Sequence, residues 1–210
     1  MVKIIDTEKK ILEAAKQEFV KKGLNGARMQ GIADRAGINK ALLHYYFRTK
    51  DRLFYAIFQE AFATLIPYVA DIFNLEIPLE VKLNRLSEKY IEVLETNPYL
   101  PLFVLSEIQH NPGQVKQLLN LHGFVDIKKL TDQIKQEFGF ESINEKIIIH
   151  LFISFLAGII FPFIGRPIIQ FNMKMSESEF HEFLEERKRL VPYLFIENIK
   201  SMNNYAFNKN

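Results

Sequence analysis

Apolar residues recur at helical spacing along almost the whole chain, and this periodicity restricts the fold more than any other feature. Ile11, Ala15 and Phe19 are spaced four apart, so they share one side of a helix. Thr7 is a good N-cap for this helix, and Gly23 is a good stop signal. The alternation of apolar and polar residues that indicates strands is almost absent. The sequence therefore predicts an all-α protein.

Capping residues and prolines divide the N-terminal part of the chain into successive helices. Two short helices are predicted over roughly 28–36 and 40–47. Thr49 can cap a longer helix that continues to about Ile66. Pro67 should end or kink that helix, because proline lacks the N–H group that a helix interior needs.

Capping boxes predict two long helices towards the C-terminus, over roughly 143–165 and 177–202. The signals are the pairs Ser142/Glu145 and Ser176/Glu179. The connection between the two helices, GRPIIQFNMKMSES, shows no clear periodicity. We therefore expect an irregular segment between them.

Charge is distributed unevenly along the chain. Residues 1–55 contain twelve Lys and Arg against six Asp and Glu, whereas the remainder contains fifteen against nineteen. A basic end on a slightly acidic body indicates a module that binds a polyanion. The chain has no cysteine, which excludes disulfides and thiolate metal sites. Because the N-terminus also lacks an apolar run of signal-peptide length, we expect a cytoplasmic protein.

The segment from Met29 to Phe47 has the pattern of two short helices that cross at a steep angle. Ala33 supplies a small residue where the backbones meet, and Gly37 supplies a left-handed turn residue. Asn39 can then cap the second helix. The outward face of that helix carries amide, ammonium, imidazole and phenol groups, which suit contacts to base edges and phosphates. The alternative is an ordinary helical hairpin with a polar face.

The stretch from Thr7 to Ala63 resembles the DNA-binding region of the TetR family of transcriptional regulators. The matching motifs are Ile32-Ala33, Ala36-Gly37-Ile38-Asn39-Lys40, Leu42-Leu43-His44-Tyr45-Tyr46-Phe47 and Thr49-Lys50-Asp51-Arg52-Leu53. The chain departs from the family at two places, since it lacks the usual threonine near Ala27 or Arg28 and has His44 where tyrosine is common. The resemblance implies an N-terminal three-helix helix-turn-helix domain, residues 1–50. A larger helical domain for effector binding and dimerisation would follow over residues 51–210.

The resemblance also implies a function and a set of DNA contacts. The expected contacts are Arg28, Gln30, Asn39, Lys40, Ala41, His44, Tyr45, Tyr46 and Lys50. Phe47 is expected to be a core residue beneath the motif. The implied protein is a homodimeric repressor that a small apolar or aromatic ligand releases from double-stranded operator DNA. The alternatives are an effector-independent regulator or activator and, further from the family, a helical ligand carrier or an enzyme.

Residues 51–210 contain no motif of an enzyme, with neither a phosphate-binding glycine loop nor a nucleophile elbow. The five histidines lack the i, i+4 pairing of a helical metal site, so we expect neither metal nor cofactor. A tertiary cluster of His110, His122 and an acid is the alternative. Some of the nineteen phenylalanines can line a ligand cavity together with a few polar anchors. The candidate ligand contacts are Phe58, Phe62, Tyr90, Phe103, Gln109, Phe124, His150 and Phe152.

The run over residues 147–164 contains no formal charge and approaches the length of a membrane span. His150, Ser154 and Pro162 interrupt it, and a DNA-binding domain needs access to the chromosome. We therefore expect no membrane insertion and a helix buried by protein on every side. By resemblance, the last two long helices pair with their symmetry mates, although packing within one chain would use the same residues. The expected dimer contacts are Phe155, Gly158, Ile159, Phe180, Leu184 and Leu194.

Overall fold

The computed structural model describes residues 2–110, 112–113, 125–140 and 143–201, without the side chains of residues 2–5, 23–25, 61, 62, 64, 107 and 110. This part of the chain contains helices and no strand, which confirms the all-α prediction. The helices are α1 (Val2–Gly26), α2 (Met29–Ala36), α3 (Lys40–Tyr46), α4 (Lys50–Asn74), α5 (Leu79–Thr96), α6 (Leu100–His110), α7 (Ile127–Phe138), α8 (Glu145–Ile164), α9 (Arg166–Met173) and α10 (Glu177–Ser201).

Pro67 was predicted to end or kink helix α4, but the helix continues through it to Asn74, so Pro67 does not end the helix. Proline removes one hydrogen bond from the helix. The turns on either side are held by buried apolar side chains, with Ile66 before the proline and Val69 after it. Tertiary packing of this kind outweighs the local preference of one residue. The same holds for Pro162 in α8 and Pro192 in α10, which lie inside helices and are buried.

The segment after α8 is also more regular than predicted, because residues 166–173 form the short helix α9. Lys174 ends this helix in a left-handed conformation, with a φ of 53°. Eight residues make little more than two turns, so the periodic signal in the sequence is weak. The predicted capping box at the start of α10 is confirmed. The backbone N–H of Ser176 donates to the Glu179 carboxylate at 2.7 Å, and the N–H of Glu179 donates to Ser176 Oγ at 3.3 Å.

The start of α8 uses a different cap from the predicted pair. Asn144 is the N-cap, and its Oδ1 accepts a hydrogen bond from the Ile147 N–H at 3.1 Å. The predicted partner Ser142 lies outside the described residues. An asparagine satisfies the exposed N–H groups of a helix start as well as a serine does.

Helix α5 lies at the centre of the body and packs against α4, α8 and α10. The buried side chains form one connected core that extends from Ile11 in α1 to Ile199 in α10. At the N-terminal end, α1 packs against α2 and α4, and α2 packs against α3. The three N-terminal helices are thus supported by the same core as the larger helical body.

An aromatic cluster joins α1 and α4 to the α5–α6 region. Phe54 is its centre, with ring centroids 4.8 Å from Phe19, 5.3 Å from Tyr99 and 4.4 Å from Phe103. Phe58 packs on Phe103 at 4.8 Å. Edge-to-face contacts between buried rings are stabilising and specific in geometry. We refer to these five residues as the junction cluster, because they tie the N-terminal helices to the body.

Helices α4 and α8 are long and apolar enough to cross a membrane by length and composition alone. Core helices of soluble proteins have the same length and composition, so these two properties alone do not indicate a membrane-spanning helix. Helix α8 buries Leu151, Phe155 and Ile159 inside the chain, whereas Ile149 and Ile153 are exposed. Its burial on every side, predicted from the sequence, is therefore incomplete within one subunit.

Candidate nucleic-acid interface

The turn between α2 and α3 depends on one glycine. Gly37 ends α2 with a φ of 67° and a ψ of 32°, in the left-handed region that side chains with a Cβ disfavour. Its N–H donates to the Asp34 carbonyl at 3.2 Å, and the Ile38 N–H donates to the Ala33 carbonyl at 3.0 Å. These two bonds close the C-terminus of α2 and direct the chain into α3.

Helix α3 then begins at a side-chain cap and buries only its inner side. Asn39 Oδ1 accepts a hydrogen bond from the Leu42 N–H at 2.8 Å, as the sequence predicts. Leu43 is fully buried, and Phe47 is buried just after the helix, where a core residue is expected. Burial of these two side chains holds α3 against the rest of the motif. The outer face of α3 is therefore directed towards solvent.

The outer face carries most of the predicted DNA contacts. The exposed members are Asn39, Lys40, Ala41, His44 and Tyr45, and Tyr45 is 81% exposed. Tyr46 differs from them, because it is half-buried and packs against the core. Its ring lies 5.6 Å from the Tyr45 ring in an edge-to-face arrangement. The structure therefore brings together cationic, amide, imidazole and phenol groups on one short helix.

The predicted contacts outside α3 flank this face. Arg28 is exposed at the N-cap position of α2, where its side chain makes no capping bond. Gln30 is exposed, and its Nε2 donates to Asp34 Oδ1 at 2.7 Å. Lys50 is the first residue of α4, and its Nζ donates to the Ala27 carbonyl at 3.3 Å. That bond ties the start of α4 to the link between α1 and α2.

One feature of this face was not visible in the sequence pattern, namely the contact between His44 and Arg48. His44 Nδ1 lies 3.1 Å from the Arg48 carbonyl oxygen. A carbonyl oxygen only accepts hydrogen bonds, so Nδ1 carries the proton in this contact. Arg48 itself is exposed beside the outer face of α3 and adds a cation there. Its only signal in the sequence is its charge.

A buried carboxylate holds α1 against α2. Glu18 lies almost completely inside the protein and bonds to Lys22 Nζ at 2.6 Å and to Arg35 at 3.5 Å. The hydrogen bond from Lys22 is the main cause of a lowered pKa at Glu18. A Cβ on Gly31 would lie 2.6 Å from Glu18 Oε1, so any larger residue there would force the Glu18 carboxylate to move. This close contact fixes the position of α2 on α1.

The described members of the predicted ligand contacts lie on four helices, α4, α5, α6 and α8. Phe58 and Phe103 contact each other in the junction cluster. Phe152 is buried with its ring centroid 6.0 Å from that of Phe73, while Gln109 and His150 are exposed. Tyr90 is half-buried, and burial raises its pKa to about 12. The side chain of Phe62, together with Phe124 and the histidines of the alternative metal cluster, His110 and His122, lies outside the described residues.

The predicted dimer contacts divide into buried and exposed positions. Phe155, Ile159, Phe180 and Leu184 are buried within the subunit. Gly158 is half-buried, and its carbonyl accepts two hydrogen bonds from the Arg187 guanidinium. Leu194 alone among the six is exposed. Packing of α8 against α10 within one chain, the alternative left open by the sequence, accounts for the buried positions.

Comparisons with known proteins agree with this geometry. A family model for bacterial regulatory proteins of the tetR family matches residues 11–57. The chain is 31% identical over 85 residues to the HTH-type transcriptional activator FasR of Mycolicibacterium smegmatis, covering 40% of this chain and 39% of that protein. It is 34% identical over 58 residues to the HTH-type transcriptional repressor NicS of Pseudomonas putida, covering 28% and 27%. The matches thus span less than two fifths of these relatives.

Similarity of fold extends over most of the chain. The crystal structure of the TetR family transcriptional regulator PfmR from Thermus thermophilus is similar with a TM-score of 0.63 at 21% identity. That similarity covers 89% of this chain and 97% of the other. The body therefore shares its fold with that protein, while the sequence match is concentrated in the helix-turn-helix. Both observations lead to one conclusion: residues 11–57 match the tetR family of bacterial regulatory proteins, and the chain as a whole has the fold of a TetR-family regulator.

Proposed function

We propose that the protein is a DNA-binding transcriptional regulator and not an enzyme, with residues 1–50 reading the operator and residues 51–210 dimerising and binding an effector. The observation that carries the proposal is the geometry of α2 and α3. Gly37 and Asn39 set the crossing of the two helices, and the exposed side of α3 is lined by polar and cationic groups. A helix presented in this way enters the major groove of DNA.

Each exposed group on this face has a chemical role in the proposed complex. Lys40 and Lys50 supply cations for phosphates, and the Tyr45 hydroxyl supplies a donor that reaches out from the surface. The methyl group of Ala41 can contact the methyl group of thymine. Asn39 uses its oxygen in the cap, which leaves its NH₂ group to donate to DNA. In the proposed complex, contacts to phosphates position the protein on the DNA backbone, and contacts to bases read the sequence.

The proposed assembly is a two-fold dimer. Helices α8 and α10 both carry exposed apolar side chains, which soluble proteins usually cover. These are Ile149, Ile153, Phe161, Leu190, Tyr193 and Leu194. In the DNA-competent dimer the two α3 helices lie roughly 34–36 Å apart, so that they enter successive major grooves. A dimer of this kind acts on the chromosome in the cytoplasm.

Helix α4 is the proposed link between effector and DNA. Lys50 lies at its first residue, and Phe54 and Phe58 lie one and two turns further along, in the junction cluster. An apolar or aromatic ligand that rearranges these rings would tilt α4 and change the separation of the α3 helices. The coupling needed is about 1–3 kcal/mol. We propose release of a repressor by ligand, although the similar relatives include an activator as well as a repressor.

DNA binding is tested on the DNA that adjoins the coding region of the chain. We expect specific binding that weakens with salt, because Lys and Arg release counterions from phosphates. Lys40→Ala and Lys50→Ala should each lower the slope of log K against log salt by about one unit. Lys146→Ala is the matched control, since Lys146 is exposed at the start of α8. Unchanged slopes in both test variants, measured by fluorescence anisotropy, would exclude these phosphate contacts.

A further inference from the structure

Three metal-binding side chains meet where the end of α5 contacts the start of α10. They are Glu95 on α5 and His181 and Glu185 on α10. One donor atom from each lies within 4.8 Å of the other two. His181 Nδ1 and Glu95 Oε1 are 2.7 Å apart. We infer that these three side chains form a binding site for a divalent transition metal ion of the Zn²⁺ type.

The donor set determines the class of ion. One imidazole and two carboxylates are ordinary ligands of Zn²⁺, at about 2.0–2.2 Å from the metal. Three protein ligands leave a fourth position for water. Ca²⁺ and Mg²⁺ prefer sites made only of oxygen ligands, and Cu⁺ prefers sulfur. The mixed nitrogen and oxygen set therefore favours Zn²⁺, Co²⁺ or Ni²⁺.

The backbone arrangement allows the donors to converge. His181 and Glu185 are four residues apart, so both project from one side of α10. Glu95 comes from the last turn of the neighbouring helix, 86 residues earlier in the chain. His181 and Glu185 are exposed, so small rotations of their side chains suffice to bring the three donors around one ion. Glu185 also lines an open cleft of about 830 Å³ between α5 and α10, through which ions can enter.

In the chain without metal, the ammonium group of Lys188 supplies the positive charge beside the two carboxylates. Its ammonium is hydrogen-bonded to the Glu185 carboxylate and lies 3.9 Å from Glu95. The lysine thus keeps two carboxylates close together that would otherwise repel each other. A metal ion would compete with Lys188 for the same oxygen atoms. An exposed ion-pair network without metal is the competing explanation, although such pairs contribute little to stability.

The two explanations differ in the effect of removing the lysine. If the cluster binds metal, Lys188→Met removes the competitor and should tighten Zn²⁺ binding several-fold. If the cluster is only an ion-pair network, the same variant creates no saturable site. Metal binding at this position does not depend on the DNA-binding function proposed above.

The experiment uses the full-length chain without a purification tag. Titration with Co²⁺, followed by visible absorption, and with Zn²⁺, followed by calorimetry, should show one saturable ion per chain. His181→Ala and Glu95→Gln should each weaken binding by about tenfold or more, because the first removes a ligand and the second replaces an anionic ligand with a neutral amide. His150→Ala is the matched control, since His150 is an exposed histidine on α8 outside the cluster. Circular dichroism establishes that every variant is folded.

Saturable binding that is lost with His181 and Glu95, kept in His150→Ala and strengthened in Lys188→Met supports the site. Absence of saturable binding by the folded wild-type chain overturns it. Binding that survives both His181→Ala and Glu95→Gln also overturns it, because the ion must then be held elsewhere.

Discussion

His44 differs from the other exposed residues of α3 because one of its ring nitrogens is already bonded. With Nδ1 donating to the Arg48 carbonyl, a neutral ring presents Nε2 as an acceptor. In the major groove an acceptor pairs with the amino group of adenine or cytosine. We therefore expect His44→Ala to relax the preference for A or C at one operator position, at a cost of about 1–3 kcal/mol for the preferred base.

The measurement is binding to a set of operators in which one base pair is changed at a time. Tyr45→Phe is a useful comparison, since it removes a hydroxyl from the same face without touching the histidine. If His44→Ala weakened binding to all operators equally, His44 would be a backbone contact and the assignment of base reading would fail.

Ser87 is a second residue whose environment makes a prediction. Its hydroxyl lies completely inside the protein and has no hydrogen-bond partner among the described residues. Thr131 is also buried, but its hydroxyl donates to the Ile127 carbonyl at 2.7 Å. Because an unpaired buried hydroxyl is unfavourable, Ser87→Ala should leave the free energy of unfolding unchanged or raise it. Thr131→Val should lower it by roughly 0.5–1.5 kcal/mol.

Urea denaturation of both variants checks this difference. A loss of stability in Ser87→Ala larger than in Thr131→Val would mean that the serine hydroxyl has a partner after all. An unpaired hydroxyl in an apolar surrounding is also a ready anchor for the polar end of an apolar ligand. The serine was not among the ligand contacts predicted from the sequence, because burial of one hydroxyl on α5 leaves no pattern.

At the scale of the helices, two glycines with the same geometry allow a controlled test. Gly37 and Gly139 end α2 and α7 with φ values of 67° and 70°, and an added Cβ at either position would meet no atom within 4 Å. Alanine at either position is therefore disfavoured by backbone conformation alone, at about 1 kcal/mol. Only Gly37 determines the crossing of α2 and α3. We expect Gly37→Ala to weaken DNA binding, while Gly139→Ala leaves it unchanged.

Chemical denaturation and anisotropy titrations on the same two proteins check both halves of this expectation. Asparagine tolerates the left-handed region better than alanine, so Gly37→Asn should recover part of the lost stability. Equal loss of DNA affinity in the Gly37 and Gly139 variants would show that general stability, and not the turn, controls binding.

The helices also show what local sequence signals can and cannot predict. Gly37, Asn39 and Thr49 act within one or two turns, so the turn and caps of the motif were predictable from residue type. Pro67 was misleading, because burial of residues distant in sequence keeps α4 intact on both sides of it. The short helix α9 was not predicted, because it has too few turns to show a clear helical periodicity. The third donor of the metal cluster, Glu95, was invisible because only the fold brings it to His181 and Glu185.

At the scale of the whole molecule, the sequence does not determine which side of the apolar helix α8 faces a partner subunit. The composition of α8 predicts burial on every side, yet composition does not separate contacts within a subunit from contacts between subunits. The structure makes that separation, since Phe155 and Ile159 face the core while Ile153 faces solvent. On α10, Leu194 faces solvent in the same way. The exposed residues are therefore the ones on which a dimer must depend.

This assignment predicts the behaviour of charged variants. Ile153→Glu and Leu194→Glu place a carboxylate in the proposed interface, where burial of an unpaired charge is costly. We expect both proteins to be folded monomers by light scattering. Because two linked half-sites bind far more tightly than one, operator affinity should fall by roughly a hundredfold or more. Leu102→Glu is the matched control, because Leu102 is an exposed leucine of α6 outside the proposed interface, and it should remain dimeric. Monomers in all three variants would show a general effect of charge, and dimers in all three would place the interface on another surface.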